Sequence, residues 1–199
     1  MPDANGKKIY LFIGDSYTER LNKYGLIPAR HLVLAKHGTA PRDWYEMTSN
    51  DKFVNFSETV MDLNADAIDG IVYLYGINDI KCSWNVYYSK RLLRDLMMYF
   101  PKKPIYVQRV FPVPKTYSWT KHTHQQINTG GQYNVKTYNA SMKTFCDKYW
   151  QLIWTDTTKG FITSYGNMKQ DKSDDGLHIS EAAYPDFWAN ICSSVPGVK

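Results

Sequence analysis

Lys8-Ile9-Tyr10-Leu11-Phe12-Ile13 is a short β-branched and aromatic run halted by Gly14, with Asp15 and Ser16 directly behind it. Six such residues bounded by a glycine read as a buried strand, and Ser16 falls just past its end. Outward from this stretch the pattern recurs. His31 to Ala35 (HLVLA) ends near Gly38, and Gly70 to Tyr75 (GIVYLY) ends at Gly76. Pro104 to Phe111 (PIYVQRVF) and Gln151 to Thr155 (QLIWT) complete five strands. Between them Leu92, Leu93, Leu96, Met97 and Phe100 mark one apolar helix face, and Tyr138, Met142, Phe145 and Tyr149 another. Residues 180–193 read as a closing helix. This βαβαβ alternation predicts a parallel sheet covered by helices on both faces, with functional groups on the loops beyond the carboxyl ends of the strands.

The chain has 199 residues, enough for one domain with its own core, and no repeat, low-complexity segment or linker divides it; residues 1–199 are read as a single domain. Apolar residues make up 43% and charged residues 22%, and no run approaches the roughly 20 apolar residues of a membrane span, so a soluble protein without a membrane span is expected. MPDANGKK has no apolar stretch behind it, so no signal peptide is expected in this chain; an export signal would lie on a longer parent. Cys82, Cys146 and Cys192 are odd in number and lack CxxC spacing, which argues against a disulfide framework and a zinc ribbon. The net charge of +5 is spread along the chain, and no nucleic-acid partner is expected. His31, His37, His122 and His124 read as residues of strand ends or solvated loops, and His122 and His124 lack carboxylate or thiolate neighbours, so no metal and no cofactor are predicted. Pro112 to Tyr133 is the longest irregular segment and a candidate substrate loop. Trp44, Trp84 and Trp119 follow the sheet ends, where each could line a cleft or pack in the core.

Four short sequences carry the chemistry: Gly14-Asp15-Ser16, Gly38, Gly76-Ile77-Asn78-Asp79 and Asp175-Gly176-Leu177-His178. A serine hydroxyl attacks an acyl carbon only if a base removes its proton, and imidazole has suitable basicity near neutral pH. Ser16 needs a histidine, and His178 is offered from the far end of the chain. Asp175, three residues earlier across a turn at Gly176, is placed to reach Nδ1 and hold the tautomer; Asp174 lacks the DxxH spacing. Taken alone, Gly14-Asp15-Ser16 reads equally as a strand-to-helix turn with Ser16 as the cap, and Asn78 as a turn residue. A cap, however, needs no distant DxxH partner. Asp15 reads as structural, bonding backbone amides in its loop.

Together these sequences resemble the SGNH, or GDSL-type, hydrolase superfamily across nearly the whole chain, the four letters falling on Ser16, Gly38, Asn78 and His178. The resemblance implies a three-layer α/β/α sandwich with a five-stranded parallel sheet of flavodoxin-like topology. It also implies an oxyanion hole from the backbone N–H groups of Ser16 and Gly38 and the side-chain amide of Asn78. A glycine allows close backbone approach, an asparagine supplies a neutral N–H, and losing one such donor costs roughly 2.7–4 kcal/mol of barrier. The chain departs from the family pattern at Tyr75, where many members have a second glycine, and at Tyr17, where leucine is usual.

The function expected is that of a serine esterase acting through an acyl-enzyme on short acyl groups, O-acetyl foremost, carried by a carbohydrate. Loops rich in Tyr, Trp, Asn, Thr and Lys suit sugar rings, and no long apolar lid segment is seen to shelter a long acyl chain. Its imidazole base should give an activity limb near ~6.5. The alternatives are sugar O-acyl transfer, or a lipase or thioesterase of the same fold. Outside hydrolases stand a flavodoxin-like module, disfavoured by acidic Asp15 and Glu19 where phosphate would sit, and a catalytically silent carbohydrate-binding module, whose signature would be a lost site residue. No substrate-binding residue is assigned.

Overall fold

Tyr10–Gly14 is buried at every position and forms β1, the second of five strands across the sheet in the computed structural model, which describes residues 6–45, 56–82 and 86–199. The others are β2 (Leu32–Ala35), β3 (Gly70–Leu74), β4 (Ile105–Gln108) and β5 (Leu152–Thr155), all parallel in the order β2-β1-β3-β4-β5. In register, Phe12 pairs with Val33 and Val72, Val72 with Tyr106, and Tyr106 with Ile153. β1, β3 and β4 are buried throughout, as continuous apolar runs covered on both faces must be, whereas the outer strands β2 and β5 are partly exposed.

Among the described residues six α-helices accompany the sheet: α1 (Ser16–Lys23), α2 (Phe56–Met61), α3 (Ile77–Lys81), α4 (Tyr87–Tyr99), α5 (Val135–Cys146) and α6 (Tyr184–Ser194). On one side Tyr24, the C-cap of α1, meets Tyr184 of α6, their ring centroids 5.0 Å apart. On the other, Arg94 of α4 lies over Phe145 of α5 at 5.0 Å. The chain winds one way from β1 to β2 and the opposite way from β3 through β5. Right-handed crossovers therefore place helices on both faces and open a switch point between the carboxyl ends of β1 and β3. Ser16 follows the first of these strands, and Asn78 the second. No helix among the described residues is long and apolar enough to cross a membrane.

The expected strands are present and shorter, although β1 starts at Tyr10 and runs through Gly14, the residue expected to halt it, and two of the trims have visible causes. β4 does not continue past Arg109, whose N–H still reaches Thr155 O, because the Asn139 side chain takes over Val110, accepting from its N–H and donating to its carbonyl, each at 2.9 Å. His31 stands at a strand end, directly before β2, as one of the two expected placements has it, and it is buried. Its Nδ1 accepts from Tyr10 N at 3.1 Å, leaving Nε2–H to donate to Val198 O at 2.7 Å, so it pins β1 to the chain end.

Candidate active site

Asp15, not Ser16, is the N-cap of α1: its Oδ1 accepts from Tyr17 N at 3.1 Å, and Ser16 is the first helical residue. The cap fixes the turn between β1 and α1 and holds Ser16 at the switch point. The closing loop brings its partners. Asp175 Oδ1 accepts from Leu177 N at 2.9 Å and His178 N at 2.7 Å, an Asx-type turn with Gly176 at φ 76°. Asp174 is exposed to solvent. Asp175 Oδ2 lies 2.6 Å from His178 Nδ1, and His178 Nε2 lies 2.9 Å from Ser16 Oγ.

Burial pushes the Asp175 carboxyl up, but the hydrogen bonds from the His178 ring and the two loop amides outweigh it and hold the group below the ordinary carboxylate range. An ionised Asp175 only accepts, so Nδ1 carries the proton and Nε2 presents its lone pair to Ser16 O–H. For His178, burial lowers the pKa, Asp175 raises it, and Arg20 and Lys81 lower it; the net direction is down. The arrangement thus joins a hydroxyl to a neutral imidazole and the imidazole to a carboxylate.

Around Asn78 the loops from β2 and β3 converge. Gly38 occupies an exposed left-handed turn with φ 69°, and the following residue, Thr39, accepts the Asn78 Nδ2–H through its carbonyl at 2.7 Å. The amide has two N–H groups, and this bond uses one. Asn78 Oδ1 accepts from Lys81 Nζ at 3.2 Å.

Three neighbours were not legible as site residues. Arg20, one turn after Ser16 on α1, reaches Asp175 Oδ2 at 3.4 Å. Tyr17 O–H donates to Leu177 O at 2.6 Å, and its ring stacks on Phe111 with centroids 5.6 Å apart. The departure from leucine at this position therefore ties α1 to the His178 loop. Lys81 ends α3. The only available signal for Arg20 and Lys81 was helical spacing from Ser16 and Asn78.

Of the three tryptophans considered for a cleft, Trp119 is at the site: its Nε1–H donates to Asp175 O at 2.7 Å, and its ring stands edge-on to His178, centroids 5.4 Å apart. It comes from the 112–133 segment expected to be a substrate loop. Trp44 is buried and donates to Tyr75 O–H at 3.3 Å, so the bulky Tyr75 is packed beneath the loop. Trp84 lies outside the described residues. A separate cavity of about 400 Å³ beyond β4 and β5 is lined by residues including Arg109, Lys136, Trp154 and Asp156. Its lining holds no serine–histidine pair like that of Ser16 and His178, and such a pair matters more than size in locating chemistry.

No protein-family model matches the chain, and no curated protein matches it in sequence. Its fold is that of the GDSL-like lipases and related esterases. A GDSL-like lipase from Bacteroides thetaiotaomicron matches with TM-score 0.68 at 14% identity, over 97% of this chain and 90% of that one. A carbohydrate esterase family 3 structure from Talaromyces cellulolyticus matches with TM-score 0.58 at 14% identity, over 92% of this chain and 94% of that one. A serine-to-alanine mutant of an acetyl esterase, solved with acetate ion, gives TM-score 0.57 at 13% identity over the same shares. At these identities the likeness is one of fold.

Proposed function

We propose that this chain is a serine esterase that removes short acyl groups, acetyl foremost, from a carbohydrate. The observation that carries the reading is the unbroken chain from Ser16 Oγ to His178 Nε2 at 2.9 Å and from His178 Nδ1 to Asp175 at 2.6 Å. In the proposed reaction His178 Nε2 takes the Ser16 proton as Oγ bonds to the acyl carbon. Collapse of the tetrahedral intermediate breaks the bond to the alcohol oxygen, which receives that proton, and water then repeats the sequence on the acyl-enzyme. Asp175 keeps Nδ1–H in place and stabilises the imidazolium. Ser16 N–H, Gly38 N–H and the second Asn78 N–H are the donors to the oxyanion.

The substrate class draws support from the half-exposed Trp119 beside the base, an indole suited to a sugar face, and from fold neighbours that include an acetyl esterase and a carbohydrate esterase. A phosphate-binding, flavodoxin-like role is disfavoured because the Asp15 carboxylate already occupies Tyr17 N–H, an amide that a phosphate would need at this helix start.

A fluorophosphonate probe should label Ser16 and no other serine, and Ser16→Ala should lose both labelling and turnover of p-nitrophenyl acetate. His178→Ala should lose nearly as much activity, while Asp175→Ala should leave a measurable remainder, because the base survives. Full labelling and turnover in Ser16→Ala would refute the mechanism. For the substrate, acetate release from acetylated xylan, peptidoglycan and capsule fragments is compared with a p-nitrophenyl ester series. A preference for acyl chains of about eight carbons or more, with no acetate from any glycan, would reject the carbohydrate class and retain the hydrolase.

A further inference from the structure

Lys81 closes α3 three residues after Asn78, on the same side of the helix, and its ammonium donates to Asn78 Oδ1 at 3.2 Å. An ammonium has donors and no acceptor, so it accepts only one orientation of the amide. That orientation points Oδ1 at Lys81 and Nδ2 at the Thr39 carbonyl, 2.7 Å away. Lys81 Nζ also lies 5.5 Å from the centre of the Trp119 ring, which packs perpendicular to the His178 ring and whose N–H donates to Asp175 O. The cation therefore stands between the amide that follows β3 and the indole beside the imidazole. Asn78 is buried, and a charge-assisted bond to a buried amide is stronger than the same bond in water.

We infer that Lys81 is a positioning residue that locks and polarises the Asn78 amide, making its second N–H a better donor to the developing oxyanion. The inference rests on the esterase reading of Ser16. A hydrogen bond donated to an amide oxygen draws electron density from its nitrogen, and the gain is realised only when negative charge builds opposite the N–H. The effect belongs to kcat and not to KM. A second signature follows from charge. The groups acting on the His178 ring are Asp175, which favours the imidazolium, and Arg20 and Lys81, which oppose it, so losing Lys81 moves the acid limb of activity toward higher pH.

The test is a double-mutant cycle: wild type, Lys81→Met, Asn78→Ala and the double variant, with Lys81→Arg as the charge-keeping control. Turnover of p-nitrophenyl acetate and the rate of fluorophosphonate inactivation are read for each, and thermal unfolding checks folding. Asn78→Ala should cost about two to three orders of magnitude in kcat. Lys81→Met should cost about tenfold in kcat with KM nearly unchanged and its acid limb raised, and Lys81→Arg should restore most of the loss. In the Asn78→Ala background the same lysine change should cost less than about twofold, since no amide remains to polarise. An undiminished loss in that background, an effect on KM alone, or no loss at all overturns the role of Lys81. In those cases normal labelling of Ser16 leaves the esterase reading standing. A wild-type protein that reacts with neither reagent defeats that reading and the lysine proposal with it.

Discussion

Burial and the nearby cations Arg20 and Lys81 lower the pKa of His178 more than Asp175 raises it. In the proposed mechanism the working base is the neutral imidazole, and a lowered pKa keeps it neutral to a lower pH. The acid limb of kcat/KM should therefore fall below the ordinary histidine value of ~6.5, correcting the sequence expectation of a limb at that value. A kcat/KM profile with a p-nitrophenyl ester from about pH 4 to about pH 8 reads this directly, and a midpoint above the ordinary value contradicts the direction. That Ser16, Asp175 and His178 would meet could be expected from the sequence because of the DxxH spacing and the position of Ser16 behind the first strand, and the fold does bring the three together. Arg20 and Tyr17 could not, because nothing in a linear sequence says which face of a helix will turn toward a loop some 155 residues away, the separation of Arg20 from Asp175.

Gly76 sits where β3 turns into α3, with φ 142°, and a Cβ there would lie 2.6 Å from both the Tyr138 ring and Val110. The turn can carry Asn78 and Lys81 to the site only while α5 packs against it this closely. Gly76→Ala should cost about 1–3 kcal/mol from overpacking, visible as a lower Tm, together with a fall in kcat as Asn78 shifts. A variant with wild-type Tm and kcat would show that the close packing is immaterial. The strand and helix order was legible because apolar runs and helical spacing survive in the sequence. The ends were less so, since side-chain amides replace backbone partners without changing hydropathy. Asn139 truncates β4 in this way. Asn128 likewise holds both Val113 N and Val113 O at 2.8 Å, giving the 112–133 segment an anchor that its irregular composition concealed.

At the switch point Asp15, which caps α1, and Asp79 of α3 are both buried carboxyls. Burial pushes Asp15 up to about 7, against the lowering effects of Tyr17 N–H and Lys81. Asp79 is fully buried and is pushed well above the ordinary carboxylate range, again by burial first and then by Asp15; among the described residues its Oδ1 has no hydrogen-bond partner. A folded-state pKa raised above the unfolded value means that the native state binds the proton more tightly. Stability from these groups is therefore complete at low pH and is lost as pH rises from the ordinary carboxylate range toward the raised values. Asp79→Asn removes one such group, so its gain in Tm over wild type should be larger at about pH 8 than at about pH 5. Calorimetry at both values checks this, and an equal change at each would count against a protonated Asp79. The parallel sheet and its switch point followed from the alternation of runs, whereas this acidic layer did not. Asp15 and Asp79 adjoin Ser16 and Asn78 in sequence, but only the packed fold shows both of them dry.

The edge-on contact between Trp119 and His178 also gives the molecule an optical signal of its own. Imidazolium quenches indole emission more strongly than neutral imidazole does, so the light from Trp119 should dim as His178 takes up its proton. Subtracting the spectrum of Trp119→Phe removes the background of Trp44, Trp84, Trp150, Trp154 and Trp188. The difference signal should titrate with a midpoint below the ordinary histidine value and vanish in His178→Ala. Because it needs no substrate, the emission follows the imidazole in the resting protein, where a bound ester or its analogue would reveal itself by displacing the midpoint.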